Sequence, residues 1–444
     1  MSTASGKKGL VLVAVLWVIM VLIVIAAAVG RDSRLDMKVC VVRMDEFRCK
    51  WACRAGIERA VAVLNDDLRG SDSLTDLWSE NDADFNDVKF GECIFTVRVV
   101  DEASKLNINT VSRKQLLRLE REGMTEEIAD AILDWRDNND EPRGGGAEAG
   151  YYENLRYRYR IRNGRFRTIR ELLMVKGITE EMLYGEDTNL NGKLDYNEKD
   201  GDESPPPDNK DEKLDRGWIA YLTCYSYDKN KDAGGNDRVN INKADEDKLT
   251  RELNISKPHA KWIVKNREHE SISDLINDKS PKEAKSEGEE SENAQPLDLQ
   301  TFKDIADKIT VNDEEIIPGK VNVNTAPKEV LAVLLGDDET AKQIANDIVT
   351  HRDGLLSGMQ SIAEVLDVKS VSVKTFKKIA KHITTRSDVF TIRCVGRADR
   401  GRGRGVRLQT EAVVGRNQTP CKILYWYQGA GAMVRRPEVQ QAAE

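Results

Sequence analysis

Twelve consecutive residues, Asp187-Thr-Asn189-Leu-Asn191-Gly192-Lys193-Leu-Asp195-Tyr-Asn-Glu198, place oxygen-bearing side chains at loop positions 1, 3, 5 and 9, glycine at 6 and glutamate at 12. A single loop wraps calcium with this spacing: glycine makes the sharp turn, the backbone carbonyl at position 7 (here Lys193) is a ligand, and the closing glutamate gives both oxygens. Calcium is hard and takes six or more oxygens, so the loop is expected to hold it. Met182–Tyr184 before the loop and Gly201 after it leave little room for flanking helices, which predicts an isolated stapled loop of micromolar-to-millimolar affinity rather than a paired sensor. A second acidic run supplies Asp228, Asn230 and Asp232 as the first three donors, but has Ala233 at the turn and Val239 at the closing position. It is an incomplete candidate for the same ion.

Other chemistry is sparse. Arg156, Arg158, Arg160, Arg162, Arg165, Arg167 and Arg170 interleave with Tyr157, Tyr159 and Phe166. This pattern fits a solvated basic face, an acidic protein partner or a single-stranded nucleic acid. The arginine-rich run at 397–407 reads as a hairpin turn. Seven cysteines include no C-x-x-C, so neither zinc nor thioredoxin chemistry is signalled. Cys49 and Cys53 lie one helical turn apart on a packing face, and Cys394 and Cys421, in strands expected to be neighbours, would pair in an oxidising compartment. Four histidines have no nucleophile beside them, and nothing argues for an enzyme.

The elements that position these residues begin with one apolar segment in an otherwise polar chain of 444 residues, net charge −8 and mean hydropathy −0.54. This balance argues against a polytopic membrane protein and against phosphate as the main partner. Leu10 to Val29 has no charge, proline or glycine, and about 20 such residues span a bilayer as a helix. Lys7 and Lys8 keep the short leading tail in the cytoplasm. Three readings fit this segment: a secretory signal cleaved near Ala26-Ala27-Ala28, a plain anchor, and a prepilin-type leader. From Arg31 to Leu68 there is no proline, and Leu35, Val39, Val42, Phe47, Trp51, Ala55, Val61 and Leu64 follow mostly three- and four-residue steps, so the apolar helix continues as an amphipathic one.

Alternating, β-branched runs at Glu92–Asp101, Asp388–Gly396, Val406–Val414 and Lys422–Tyr427 read as strands. They bracket a mostly helical middle that contains an internal repeat: basic, apolar, Asn, apolar, Asn, at 105–109, 238–242 and 320–324. Each copy precedes a helix pair whose second member ends near an arginine (Glu126–Arg136, His259–Arg267, Thr340–Arg352). Asn109, Asn242 and Asn324 are expected to cap the first helices. The pairs resemble helix-hairpin-helix units, but their turns lack paired glycines, and the third places Asp337, Asp338 and Glu339 where a nucleic-acid phosphate would sit. Asp200–Lys213 and Asn277–Pro296 are charged and apolar-poor, as solvated loops are.

Lys7-Lys8-Gly9 before Leu10, with the long helix behind it, is similar to the prepilin class, which implies cleavage after Gly9 and Leu10 as the mature N-terminus. Most members carry a glutamate five residues into the mature chain, where this chain has Ala14. One family known for lacking it is the general secretion pathway protein K family of type II secretion. The phrases at 131–152, 168–177 and 321–331 resemble that family's inserted domain. The resemblance implies an α+β fold: a long transmembrane and amphipathic helix (10–68) after a leader (1–9), and an antiparallel pseudopilin sheet (69–104 and 386–430) interrupted by a mostly helical domain (105–385), with a tail at 431–444. It implies a minor pseudopilin in the inner membrane with a periplasmic head. Such a subunit caps the pseudopilus tip, helps initiate assembly with the I- and J-type minor pseudopilins, and binds calcium in the inserted domain. The alternative is a membrane-anchored helix-hairpin-helix protein that binds DNA.

Overall fold

The computed structural model describes residues 6–67, 70–119, 123–190, 192–201, 203, 206, 208, 210–276, 294–399, 404–429 and 432–435. One uninterrupted helix, α1, runs from Gly6 to Asp66. Its apolar part has a mean hydropathy of 3.3 over 18 residues, none of them buried. Further along, Cys49, Ala52, Cys53, Ile57, Ala60 and Leu64 are fully buried at helical spacing, giving the helix one core-facing stripe. This stripe is rotated from the apolar residues that the sequence brings forward. Phe47 and Trp51 are exposed and pack edge to face on each other, 6.1 Å apart.

The stripe lies on a six-stranded antiparallel sheet made of β1 (Val88–Phe90), β2 (Cys93–Asp101), β3 (Val389–Asp399), β4 (Arg404–Gly415), β5 (Lys422–Gln428) and β6 (Ala432–Arg435). The order is β1-β2-β3-β4-β5, with β6 also pairing to β4. β2 burial alternates, with Cys93, Phe95, Val97 and Val99 inward, so the sheet presents one face to α1. Gly56 allows the close approach: a Cβ there would stand 2.7 Å from Cys394 Sγ and 2.9 Å from Phe95. β4 separates β3 from β5, so Cys394 and Cys421 are not neighbours and the expected pairing between them is corrected. The Cys421 thiol meets Asn65 Oδ1 at 3.2 Å, and all seven cysteines are free.

Between β2 and β3 the chain forms a second core from three copies of one unit. Each unit opens and closes with a two-residue strand, and the two strands pair in parallel: Leu106–Asn107 with Leu222–Thr223, Val239–Asn240 with Ile309–Thr310, and Val321–Asn322 with Ile383–Thr384. Inside each unit come a helix pair, a short 3-10 turn (Ile169–Met174, Ile272–Leu275, Ile362–Asp367) and a last helix (Glu180–Tyr184, Leu299–Ile305, Val373–Ile379).

The repeated asparagines hold this frame together by a different route from capping. The first of each pair accepts the amide two residues on: Asn107 from Asn109 at 2.9 Å, Asn240 from Asn242 at 2.9 Å, Asn322 from Asn324 at 3.0 Å. The second brackets one residue after the helix pair, accepting its N–H and donating to its C=O: Asn109 with Phe166 (2.7 and 3.0 Å), Asn242 with His269 (2.9 and 2.9 Å), Asn324 with Met359 (2.8 and 2.9 Å). The caps are Ser112 and Asp245, and Pro327 stands at that position in the third unit without a side-chain cap. Each cap position lies three residues past the asparagine, so the asparagine amide falls one turn short of the helix. The arginine ending each second helix donates to two backbone carbonyls of the opening segment: Arg136 to Ile108 and Val111, Arg267 to Ile241 and Ala244, Arg352 to Val323 and Ala326. Buried carbonyls are thereby paired.

The two cores join at a buried polar seam. Asn322 donates to the Asp72 carbonyl (3.0 Å), Asp101 Oδ2 (3.1 Å) and Ser387 Oγ (3.1 Å). Glu102 accepts from Lys105 at 2.8 Å and from Thr391 at 2.7 Å. Burial pushes the Glu102 carboxyl up, but the Lys105 ammonium and the hydrogen bonds from Lys105, Thr223 and Thr391 together outweigh it and hold the carboxyl below its usual range.

Candidate metal centre

The twelve-residue loop leaves the first unit after its last helix, where Gly185 pairs with Arg216 and Glu186 N–H donates to the Asp215 carbonyl at 2.9 Å. The two ends of the excursion are thus tied at its root. Asp187 Oδ2 accepts Gly192 N–H at 2.8 Å, and Gly192 has φ +65°, the left-handed conformation that glycine adopts without strain. Asn189 Nδ2 donates to Asp195 Oδ2 at 2.8 Å and to Glu198 Oε1 at 3.4 Å, and Asp195 N–H donates to Glu198 Oε2 at 2.8 Å. Asn191 lies outside the described residues.

Glu198 is 1% exposed. Burial, then the like charges of Asp195, Asp187 and Glu186, push its carboxyl up to about 7 against the hydrogen bond from the Asp195 amide. A divalent cation is the species that would relieve this crowding, and the donor set is all oxygen, so the residues fit calcium. The Lys193 carbonyl holds the remaining fixed position of the motif. The Asn189 amide donates in this geometry, and it would turn over to ligate through Oδ1.

The loop docks against the sheet. Leu190 is buried, and a Cβ on Gly192 would collide with the Arg98 guanidinium of β2. A cleft of about 480 Å³ between them is lined by Arg98, Asp187, Leu190, Arg216 and Arg393, among others. Burial, Arg216 and Arg393 lower Arg98, and Asp187 is its countercharge.

The 228–232 run is arranged otherwise. Asp228 is buried, with Oδ1 accepting from Asn230 N–H (2.7 Å) and Arg238 (3.0 Å) and Oδ2 from Thr384 (2.7 Å). Burial raises its carboxyl, and Arg238, the Thr384 hydroxyl, Lys320 and the Asn230 amide together bring it below the usual range. Asn230 Nδ2 donates to the carbonyls of Asn312 and Glu314, and Asp232 accepts Asn236 N–H at 2.8 Å. Arg238 thus already supplies positive charge beside Asp228.

A third acidic group, on no continuous loop template, escapes sequence reading. Carboxylate oxygens of Asp134, Asp137 and Glu148 lie within 4.8 Å of one another. Arg143 Nη1 bridges Asp134 (2.5 Å) and Asp137 (2.6 Å), and Asp134 also accepts Ala147 N–H at 2.9 Å. Both oxygens of buried Glu148 have no hydrogen-bond partner. Burial, then Asp134, Asp137 and Asp140, push its carboxyl up to about 7. A Cβ on Gly146 would strike Asp134, so the tight turn here requires glycine.

The arginine-tyrosine segment lies over the same core. Tyr159 OH donates to the Met174 carbonyl at 2.5 Å, and Arg162 pairs with Glu171 at 2.8 Å. Arg170 reaches the sheet, pairing with Glu411 at 3.0 Å and stacking 4.4 Å over Tyr427. The run at 397–407 forms the β3–β4 hairpin, with residues 400–403 outside the described ones.

A membrane-length helix is thus laid on an antiparallel sheet, with a separate three-unit core inserted between two of its strands. Residues 98–184 and 321–386, at the two ends of that insertion, each match a family model described as Type II secretion system (T2SS), protein K. Over these two stretches the chain is similar to protein K of type II secretion systems. A chain of the crystal structure of the GspK-GspI-GspJ complex from the enterotoxigenic Escherichia coli type 2 secretion system is similar at 11% identity and a TM-score of 0.47, over 87% of this chain and 98% of that one. Among the curated proteins none matches this chain.

Proposed function

We propose that this chain caps the tip of a pseudopilus and helps start its assembly, anchored in the inner membrane with its head in the periplasm. One observation carries the reading: α1 is continuous from the bilayer-length segment to the sheet, and the sheet bears a second core inserted between β2 and β3. In a bundle of such helices, a subunit stacked above brings an N-terminal ammonium down among apolar side chains. An unpaired charge there is costly. Ala14 offers no carboxylate to receive it, and the inserted core adds bulk above. Further assembly proceeds beneath.

The exposed stripe of Leu35, Val39, Met44, Phe47 and Trp51 on α1 is suited to packing against neighbouring helices. The partners proposed are the I- and J-type minor pseudopilins. The loop of Asp187, Asn189, Asn191, Lys193, Asp195 and Glu198 is proposed to hold calcium, and Asp134, Asp137 and Glu148 to offer a second cation seat once Arg143 swings away. The ion's part is structural: it neutralises crowded carboxylates and stiffens loops.

N-terminal sequencing of the membrane-extracted protein, from cells with and without prepilin peptidase, tests the assignment. A start at Leu10 that depends on the peptidase is expected. A start after Ala28, or an intact Met1, overturns the leader and the tip reading with it.

A further inference from the structure

Four of the seven cysteines meet where α1 lies on the sheet. Cys49 and Cys53 are on the buried stripe of α1, Cys93 opens β2 and Cys394 lies within β3. They fall into two pairs. Cys49 Sγ is 3.9 Å from Cys93 Sγ. The Cys53 thiol is hydrogen-bonded to the Cys394 thiol and also meets the Cys394 carbonyl at 3.5 Å. Glycines make room for both members of the second pair: a Cβ on Gly56 would stand 2.7 Å from Cys394 Sγ, and one on Gly396 would stand 3.0 Å from Cys53 Sγ. Among the described residues, groups of three or more metal-ligating atoms within 4.8 Å of one another occur at two acidic clusters, and these thiols form no such group. The arrangement suits bonds between pairs rather than a tetrahedral thiolate centre.

We propose that Cys49 is joined to Cys93 and Cys53 to Cys394 as two disulfides that staple α1 to the sheet. The proposal rests on the reading that places the head in an oxidising compartment, where such bonds persist. Bond formation needs the sulfurs of each pair to close to about 2.05 Å. The oxidant is a protein disulfide of the thiol-oxidase class. The Cys49 thiolate attacks that disulfide and expels one oxidase thiolate. The Cys93 thiolate then attacks the Cys49 sulfur of the mixed disulfide and expels the second. Two electrons pass to the oxidase and two protons leave the chain's thiols, and the Cys53–Cys394 pair reacts in the same way.

The order of events follows from burial, which pushes the Cys49 thiol up to about 12 and raises Cys93 as well. In the folded chain this pair is therefore protonated and poorly nucleophilic. Its oxidation precedes the packing of α1 on the sheet.

The test uses the full chain in its membranes, quenched with acid at harvest. A membrane-impermeant maleimide applied to spheroplasts first reports on exposed Cys40. On a separate, unlabelled aliquot, a mass-tagged maleimide applied in denaturant counts thiols with and without prior reduction. Cys40 is expected to react from outside. Three thiols (Cys40, Cys224 and Cys421) should label before reduction and seven after it, and non-reducing digests should yield 49–93 and 53–394 linked peptides. Seven reactive thiols with Cys40 accessible overturn the disulfides and leave the topology standing. An inaccessible Cys40 overturns the topology and this proposal together. Any other pairing, or stoichiometric zinc on four protected thiols, also overturns it. The paired variant C49A/C93A should retain the 53–394 linkage, and its loss refutes independent pairs.

Discussion

Arg416 meets Asp72 through two contacts, Nη2 to Oδ1 at 2.7 Å and to Oδ2 at 2.8 Å, and the two side chains are 2% and 0% exposed. The same guanidinium reaches Asp67 at 2.6 Å and the Ser387 carbonyl at 2.9 Å, and stacks 5.1 Å over Phe390. One side chain just past β4 thus ties the segment after α1 to the segment that enters β3.

Removing Arg416 leaves the fully buried Asp72 without its countercharge, and removing Asp72 leaves the buried Arg416 with Asp67 alone. Asp72→Ala and Arg416→Ala are each expected to lower stability by about 3–5 kcal/mol. The double replacement Asp72→Leu with Arg416→Met is expected to fall well short of the sum, because neither fully buried position then carries a charge. Urea unfolding of the head followed by tryptophan fluorescence checks this, since Trp78 packs on Phe390 at 5.0 Å.

Glu198→Gln keeps the shape of the closing ligand and removes its charge. Calcium is expected to stabilise the parent chain by about 2.7 kcal/mol at a hundredfold excess over Kd, and so to raise its melting temperature. The variant should lose most of that increment, and in chelator near neutral pH it should be at least as stable as the parent, because the crowded charge is gone. Scanning calorimetry with calcium or EGTA reads both.

The pH dependence has a defined sign. Glu198 rises from 4.5 to about 7 in the metal-free fold. Between these values the folded chain keeps a proton that the unfolded chain has released, so metal-free stability falls as pH rises through the window. Calcium takes the place of that proton, and its stabilising effect should be small at pH 5 and grow toward pH 7.5. A calcium effect that shrinks over this range contradicts the assignment of Glu198 as a ligand.

Asn324→Ala removes two hydrogen bonds to Met359, and Asn324 is 2% exposed. The expected loss is about 2–4 kcal/mol, because a buried N–H and C=O are left unpaired. The equivalent change at half-buried Asn109 should cost less, since water can reach its bracket. Chemical denaturation of the two variants side by side gives the ranking.

The sequence makes α1, the four longer strands and the second helix of each pair legible, because each has its own periodicity. The twelve-residue loop is legible for a related reason: its donors are contiguous and its template fixed. What escapes depends on contacts far apart in the chain. Asn109 reads as a cap until Phe166 is seen beside it, 57 residues away. Phe47 and Trp51 fit the apolar spacing of α1, yet the burial of Cys49 and Cys53 against the sheet turns them outward. The cluster of Asp134, Asp137 and Glu148 joins a helix end to a later turn with no fixed spacing, and Cys394 meets Cys53 across 341 residues.

Because α1 has no proline and no break over 61 residues, it is a rod of about 90 Å at 1.5 Å per residue. A rod of that length with a rigid head at one end works as a lever. A push or rotation applied by machinery at the bilayer would reach the sheet without an elastic joint to absorb it.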